Sequence, residues 1–289
     1  MGNLTSINTS TRFCAVIGNP VAHSLSPAIH NAAYEHLGLD FVYVASRVED
    51  IRNALAGVRA LSNLRGLSVT IPHKIEIIKY VDEISDTDKA IGSINTVIHE
   101  GEKLIGLGTD GPGAMKALLD GGVELEGRDV LILGAGGASR AISFTLAMNA
   151  GISGITLLDI NETLLRGLER DLVSGTKTPI TAQLITDRTV FDAVKRADII
   201  INCTSVGMHP NEDASLIPPE IFRKDQVVFD IVYNPLETKL IKEAKSCGLA
   251  VIPGVELFIN QAALQFEHFT GVKAPVEVMR KVVLDKLRI

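Results

Sequence analysis

Apolar positions along this chain change period repeatedly. Short runs rich in β-branched residues alternate with stretches whose apolar residues recur at helical spacing. That alternation predicts an α/β protein with parallel sheets. Phe13 to Ile17 reads as a buried strand, broken by Gly18-Asn19-Pro20. Pro27 opens a helix through about Leu37, closed by Gly38. Phe41 to Val44 is the next strand, and a helix follows from Ile51 to about Leu61. Gly66 to Ile71 is a third strand, with a helix expected after Pro72. Thr96 to His99 and Lys103 to Leu107 read as a hairpin turning at Glu100-Gly101-Glu102.

A second unit begins near Gly121-Gly122. Asp129 to Leu133 carries no polar residue after Asp129, as expected of a strand covered on both faces. A helix is expected from Arg140 to Ala150, then a strand from Ile155 to Leu158 ending in Asp159. Helices at Thr163 to Val173 and Val190 to Arg196 flank a strand near Thr181 to Leu184. Further strands fall at Asp198 to Asn202, Val227 to Asp230 and Leu249 to Ile252. The helix before the last strand is expected to be capped by Asn234, with Pro235 at its first position and Glu237 completing a capping box. Helical patterns at Val255 to Phe269 and Pro275 to Leu287 close the chain and are expected to return to the first domain. The reading is two α/β domains. Residues 1–117, completed by helices at 256–289, form one, and residues 118–255 a Rossmann-like second.

Composition narrows the function classes. An apolar fraction of 46% excludes disorder as the main state. The net charge of −6 and the lack of a basic face exclude nucleic acid as a partner. No apolar run reaches the length of a bilayer span, no secretion signal is evident, and no membrane partner is expected. Met1-Gly2-Asn3-Leu4-Thr5-Ser6 fits a permissive acylation pattern without a polybasic patch beside it. Three distant cysteines suit a reducing cytoplasm and offer no zinc spacing, so no metal is expected.

Gly134-Ala-Gly136-Gly-Ala-Ser139 follows one predicted strand and opens a helix. Glycines there allow a tight turn and close approach of backbone N–H groups to a pyrophosphate, beside a helix N-terminus. Ser139 takes the place of the usual third glycine, and Asp159 lies 20 residues beyond it, the spacing of an acid that reads ribose hydroxyls. A carboxylate there repels a 2′-phosphate, and no arginine follows until Arg166, which favours NAD over NADP. Arg140 or Arg166 folding back toward the ribose would reverse that preference. In the first unit, Ser24 and Ser26 put two hydroxyls before a predicted helix N-terminus. That arrangement suits a carboxylate ligand, or Ser26 simply caps the helix. Ser68 and Thr70 share one strand face, and Lys74 is read as starting the next helix. A helix dipole would disfavour the lysine charge there and suit proton transfer, whereas the bland alternative is a solvated lysine. Asn95 and Asp110 sit between glycines, in loop or strand-end positions.

Taken in order, these runs resemble the motifs of the shikimate dehydrogenase family. They are Gly18 to Pro27, Ser68 to Lys74, Gly92 to Thr96, Thr109 to Gly111, Gly134 to Ala138, Asn202 to Met208, Asp230 to Tyr233 and Gln261 to Phe266. The resemblance implies reversible reduction of 3-dehydroshikimate to shikimate with a nicotinamide cofactor. It implies Lys74 and Asp110 as the catalytic pair. Ser24 and Ser26 would hold the substrate carboxylate, and Thr70, Asn95, Asp110 and Gln261 the ring hydroxyls, with Tyr233 nearby. Gly134, Ala135, Gly136, Gly137, Ala138 and Asp159 would hold the dinucleotide. Asn202, Thr204, Ser205, Met208, Val232, Gly254 and Leu257 would line its nicotinamide end. Three positions depart from the family pattern. Ser68 and Gly108 each stand where Asn is common, and Asp159-Ile160-Asn161 stands where NADP-type members carry Asn-Arg-Thr. The last resembles the NAD-preferring quinate/shikimate branch. The expectation is an NAD-preferring shikimate dehydrogenase, with quinate as a candidate second substrate and a homodimer held open. The alternatives are an NADP-dependent biosynthetic enzyme, or a non-catalytic shikimate/quinate-binding regulator that would not need both Lys74 and Asp110.

Overall fold

The computed structural model describes residues 7–287. The acylation pattern at the extreme N-terminus lies outside the described residues. The chain divides into two units. One takes the chain through Thr109 and again from Ile259, and the other is Asp110–Phe258.

In the first unit, β1 (Arg12–Gly18), α1 (Ser26–Leu37) and β2 (Phe41–Arg47) form a strand-helix-strand unit with its strands parallel. The helix α2 (Ile51–Val58) leads to β3 (Leu64–Val69), which also pairs parallel to β1. A 3-10 turn at Glu76–Tyr80 precedes β4 (Glu83–Ile84) and α3 (Asp86–Ile91). The antiparallel hairpin β5 (Thr96–Glu100) and β6 (Lys103–Leu107) completes a mixed sheet ordered β2-β1-β3-β5-β6-β4. Ala15, Ile17, Leu55, Leu67, Ile77 and Val97 fill one side of it.

The second unit opens with α4 (Asp110–Asp120) and then alternates strand and helix. Its elements are β7 (Asp129–Leu133), α5 (Gly137–Asn149), β8 (Gly154–Asp159), α6 (Glu162–Gly175), β9 (Ile180–Leu184) and α7 (Asp187–Arg196). They continue with β10 (Ile199–Asn202), β11 (Val227–Asp230), α8 (Lys239–Ser246) and β12 (Ala250–Pro253). All six strands are parallel, in the order β12-β11-β10-β7-β8-β9. Residues 130–133 of β7 are buried because crossover elements cover both faces. Chain direction across the sheet reverses between β7 and β10. That switch point is where doubly wound sheets bind ligands, beyond the carboxyl ends of the strands. The helix α9 (Gly254–Thr270) begins in the second unit and ends in the first, and α10 (Val276–Leu287) packs on α1. Phe266 of α9 stacks with Tyr34 at 5.3 Å inside the first unit. No helix among the described residues is long and apolar enough to cross a membrane.

Several local expectations are corrected. The division falls at Thr109, not near residue 117, because α4 begins at Asp110 and packs on α5. Asp110 is therefore the first helical residue and not part of a loop. No α-helix follows Pro72: residues 72–75 turn and only the five-residue 3-10 segment comes after, so no macrodipole acts at Lys74. Thr238, not Asn234, caps α8, because its hydroxyl accepts from Ile241 N while donating to Asp230.

Candidate active site

The first unit gathers a polar set at the ends of β1, β3 and β5. Leu25 occupies the N-cap position of α1 with no side-chain cap, so the hydroxyl of Ser26 is not used in capping. Ser24 Oγ instead accepts from Ser26 N at 3.3 Å. The Thr70–Lys74 turn runs beside Asn95: Val69 N donates to Asn95 O at 2.7 Å, and Ile94 N to Lys74 O at 2.9 Å. Asn95 is buried and accepts from Thr109 N at 2.7 Å, while its amide donates to Thr109 Oγ1 at 3.0 Å and toward Gln261 Oε1 at 3.5 Å. Hydroxyls at one end and carboxamides at the other suit a ligand bearing a carboxylate and ring hydroxyls.

Sequence reasoning missed the buried network that backs the carboxamide end. Tyr43 Oη donates to Ser68 Oγ at 2.6 Å, and Ser68 Oγ donates to Gln265 Oε1 at 2.7 Å. Gln265 Nε2 then donates to Asn95 O at 3.1 Å and Thr96 Oγ1 at 2.9 Å. All of these side chains are buried. Ser68 is thus committed to neighbours within the fold. The only signal in the sequence was Gln265 one helical turn beyond Gln261. His30 stacks on Tyr43 at 4.3 Å. Complete burial lowers its pKa to about 3, so it packs as a neutral ring.

The second unit places its candidates at the carboxyl ends of β7, β8, β10 and β11. Gly134 has φ +101°, and a Cβ there would meet Cys203 O at 3.0 Å, so the tight turn into α5 requires glycine. No side chain caps α5 at Gly136, which leaves its first turn suited to an anion. Ala135 is buried, Gly137 and Ala138 are half-buried in that turn, and Ser139 is fully buried. These features fit a dinucleotide pyrophosphate. Asp159 ends β8 with both oxygens engaged: Ala135 N donates to Oδ2 at 2.5 Å and Asn161 N to Oδ1 at 2.6 Å. Asp159 therefore ties the glycine loop to the segment after β8. Arg140 pairs with Asp171 at 2.8 Å, and Arg166 with Glu169 at 2.9 Å.

The loop after β10 is organised by a buried carboxylate. Asp230 accepts from Thr238 Oγ1 at 2.6 Å, Asn202 Nδ2 at 2.9 Å and Val232 N at 3.1 Å. Burial pushes its pKa up to about 6, and these three donors pull it back down. Asn202 Oδ1 in turn accepts from Thr204 N and Oγ1, which shapes the turn carrying exposed Ser205 and Met208. Tyr233 stacks on Phe258 at 4.6 Å, with Gly254 and Leu257 buried at the start of α9. Asp110 is buried at the start of α4.

Comparison with known proteins identifies the family. Residues 16–97 match the shikimate dehydrogenase substrate binding domain, and residues 254–284 the shikimate 5′-dehydrogenase C-terminal domain. A Pyrococcus abyssi protein named shikimate dehydrogenase (NADP(+)) is 43% identical over 94% of this chain and 97% of its own length. The chain belongs to the shikimate dehydrogenase family. Shikimate dehydrogenases are oxidoreductases acting on a CH–OH group with a nicotinamide dinucleotide, and this chain is one of them. A Listeria monocytogenes shikimate 5-dehydrogenase in complex with shikimate and NAD is 33% identical, with a TM-score of 0.90 over 96% of this chain and 98% of that one. A Corynebacterium glutamicum quinate dehydrogenase in complex with NAD is 26% identical, with a TM-score of 0.87 over 95% of this chain and 99% of that one.

Proposed function

We propose that this chain interconverts shikimate and 3-dehydroshikimate in the cytoplasm, with NAD preferred over NADP. The observation that carries the cofactor preference is Asp159 at the end of β8. Its carboxylate is fixed by two backbone donors, and both nearby arginines are drawn into ion pairs with other residues. The Pyrococcus relative is named for NADP(+), which favours the alternative cofactor. The Listeria structure with NAD supports the preferred one. Likeness to the quinate dehydrogenase supports quinate as a second substrate.

Ser24 and Ser26 hold the substrate carboxylate, and Thr70, Asn95 and Gln261 hold the ring hydroxyls, with Tyr233 nearby. The dinucleotide, held by Gly134–Ala138 and Asp159, supplies the hydride chemistry when bound. Its nicotinamide end is lined by Asn202, Thr204, Ser205, Met208, Val232, Gly254 and Leu257. Lys74 takes the proton from the reacting hydroxyl oxygen in oxidation and returns it in reduction, where its charge also stabilises the developing alkoxide. Asp110 orients Lys74 and that hydroxyl. Lys74→Ala should lower kcat by about 10²–10⁴-fold, with shikimate affinity by calorimetry changed far less. An unaltered kcat overturns the proton-transfer role.

A further inference from the structure

Gly108 stands where Asn is common in the family, two residues before Asp110, and the structure places a carboxylate against it. We infer that Asp88 and Gly108 form a matched pair that holds the turn leading into Asp110, so that Asp88 is a positioning residue for the reaction. Asp88 Oδ1 accepts from Gly108 N at 3.1 Å. Its other oxygen accepts from Ser85 Oγ at 2.8 Å, and Ser85 Oγ accepts from Asp88 N at 2.9 Å, so the carboxylate is anchored to the start of α3. The next amide, Thr109 N, donates to Asn95 Oδ1 at 2.7 Å. Two consecutive amides immediately before Asp110 are therefore pinned by side chains and not by a sheet or helix ladder. Either pin alone would leave the other end of the turn able to pivot.

The pair is also matched in shape. A Cβ at position 108 would lie 2.9 Å from Asp88 Oδ1. Because Ser85 holds that carboxylate, it cannot swing away as a loose side chain would. A side chain at 108 and a carboxylate at 88 thus exclude each other, and either arrangement can fill the space. Asp88 acts through the turn, without touching substrate in this scheme.

The inference rests on the proposed role of Asp110, and its test separates the two. Asp88→Ala and Gly108→Asn should each lower kcat for shikimate oxidation by roughly ten- to a hundredfold, the scale of a misplaced catalytic group. KM for shikimate should change less than about threefold. Asp88→Asn, which keeps an acceptor oxygen for Gly108 N, should retain most activity. The double variant Asp88→Ala/Gly108→Asn should recover most of the loss, the non-additivity of a coupled pair. A kcat unchanged in Asp88→Ala, or additive losses in the double variant, overturns the pairing. Amide hydrogen exchange gives a readout independent of chemistry. Protection at Gly108 and Thr109 should fall in Asp88→Ala and stay high in Asp88→Asn. If exchange behaves so while wild-type kcat proves insensitive to Asp110→Asn, the pairing stands and the assigned role of Asp110 fails. Unchanged protection in Asp88→Ala overturns the pairing.

Discussion

Replacing Tyr43 by Phe removes the oxygen atom that starts the buried chain of hydrogen bonds through Ser68 and Gln265 to Asn95. The ring is fully packed and stays in place, so the loss is confined to hydrogen bonding. One bond goes, Tyr43 to Ser68 at 2.6 Å. A neutral hydrogen bond contributes about 1 kcal/mol net, and Ser68 keeps Gln265 as its partner. The fold should therefore lose about 1 kcal/mol in urea titration. Binding should suffer too, because Ser68 loses the donor that fixes its hydroxyl, and Gln265 then holds Asn95 less firmly. Losing one neutral hydrogen bond to a ring hydroxyl is ~1 kcal/mol, or about fivefold in affinity. KM for shikimate should rise about fivefold while kcat stays within about threefold, since the loss falls on groups proposed to bind the ring hydroxyls. Steady-state kinetics on the folded variant, checked by near-UV circular dichroism, separates the two effects. Lower stability with an unchanged KM would refute the claim that Tyr43 organises the ring-hydroxyl seat at Asn95.

Asp159→Ala combined with Ile160→Arg should move the NAD-to-NADP ratio of kcat/KM by about a hundredfold or more toward NADP, since a repulsive carboxylate is exchanged for a phosphate-binding guanidinium. An unmoved ratio means that Asp159 does not read the ribose. Asp230 carries a pH prediction. Burial raises its folded pKa to about 6, so the folded state holds a proton that the unfolded chain has released, and stability falls as pH rises from the ordinary carboxylate range toward about 6. Thermal melts of Asp230→Asn should lack that slope, and identical slopes in the two proteins would contradict the burial argument. Below about pH 6 the protonated carboxyl loses accepting capacity toward Asn202, Val232 and Thr238, so KM for the dinucleotide should rise on acidification in the wild type.

What could be read from the chain alone was whatever is local. The glycine turn after β7 and Asp159 at the end of β8 lie within one strand-helix-strand unit, whose geometry follows from strand burial and the φ of Gly134. The helix expected at Lys74 failed because Pro72 punctuates a turn as readily as it opens a helix. Asn234 and Thr238 both carry capping chemistry, and the choice was made by Asp230, eight residues before Thr238 in the chain. Ser68 and Gln265 are 197 residues apart, so no periodicity could connect them. Gly108 N donates to Asp88, 20 residues earlier, a contact that no local pattern in the chain connects.

The central claim is most directly tested by initial rates of dinucleotide reduction with shikimate and with quinate, each against NAD and NADP. Fast shikimate oxidation with NAD, at a kcat/KM about a hundredfold or more above that with NADP, is the expected result. Turnover of shikimate only with NADP would contradict the reading of Asp159, and no turnover with either dinucleotide would contradict the assignment of Lys74 and Asp110 as a working catalytic pair.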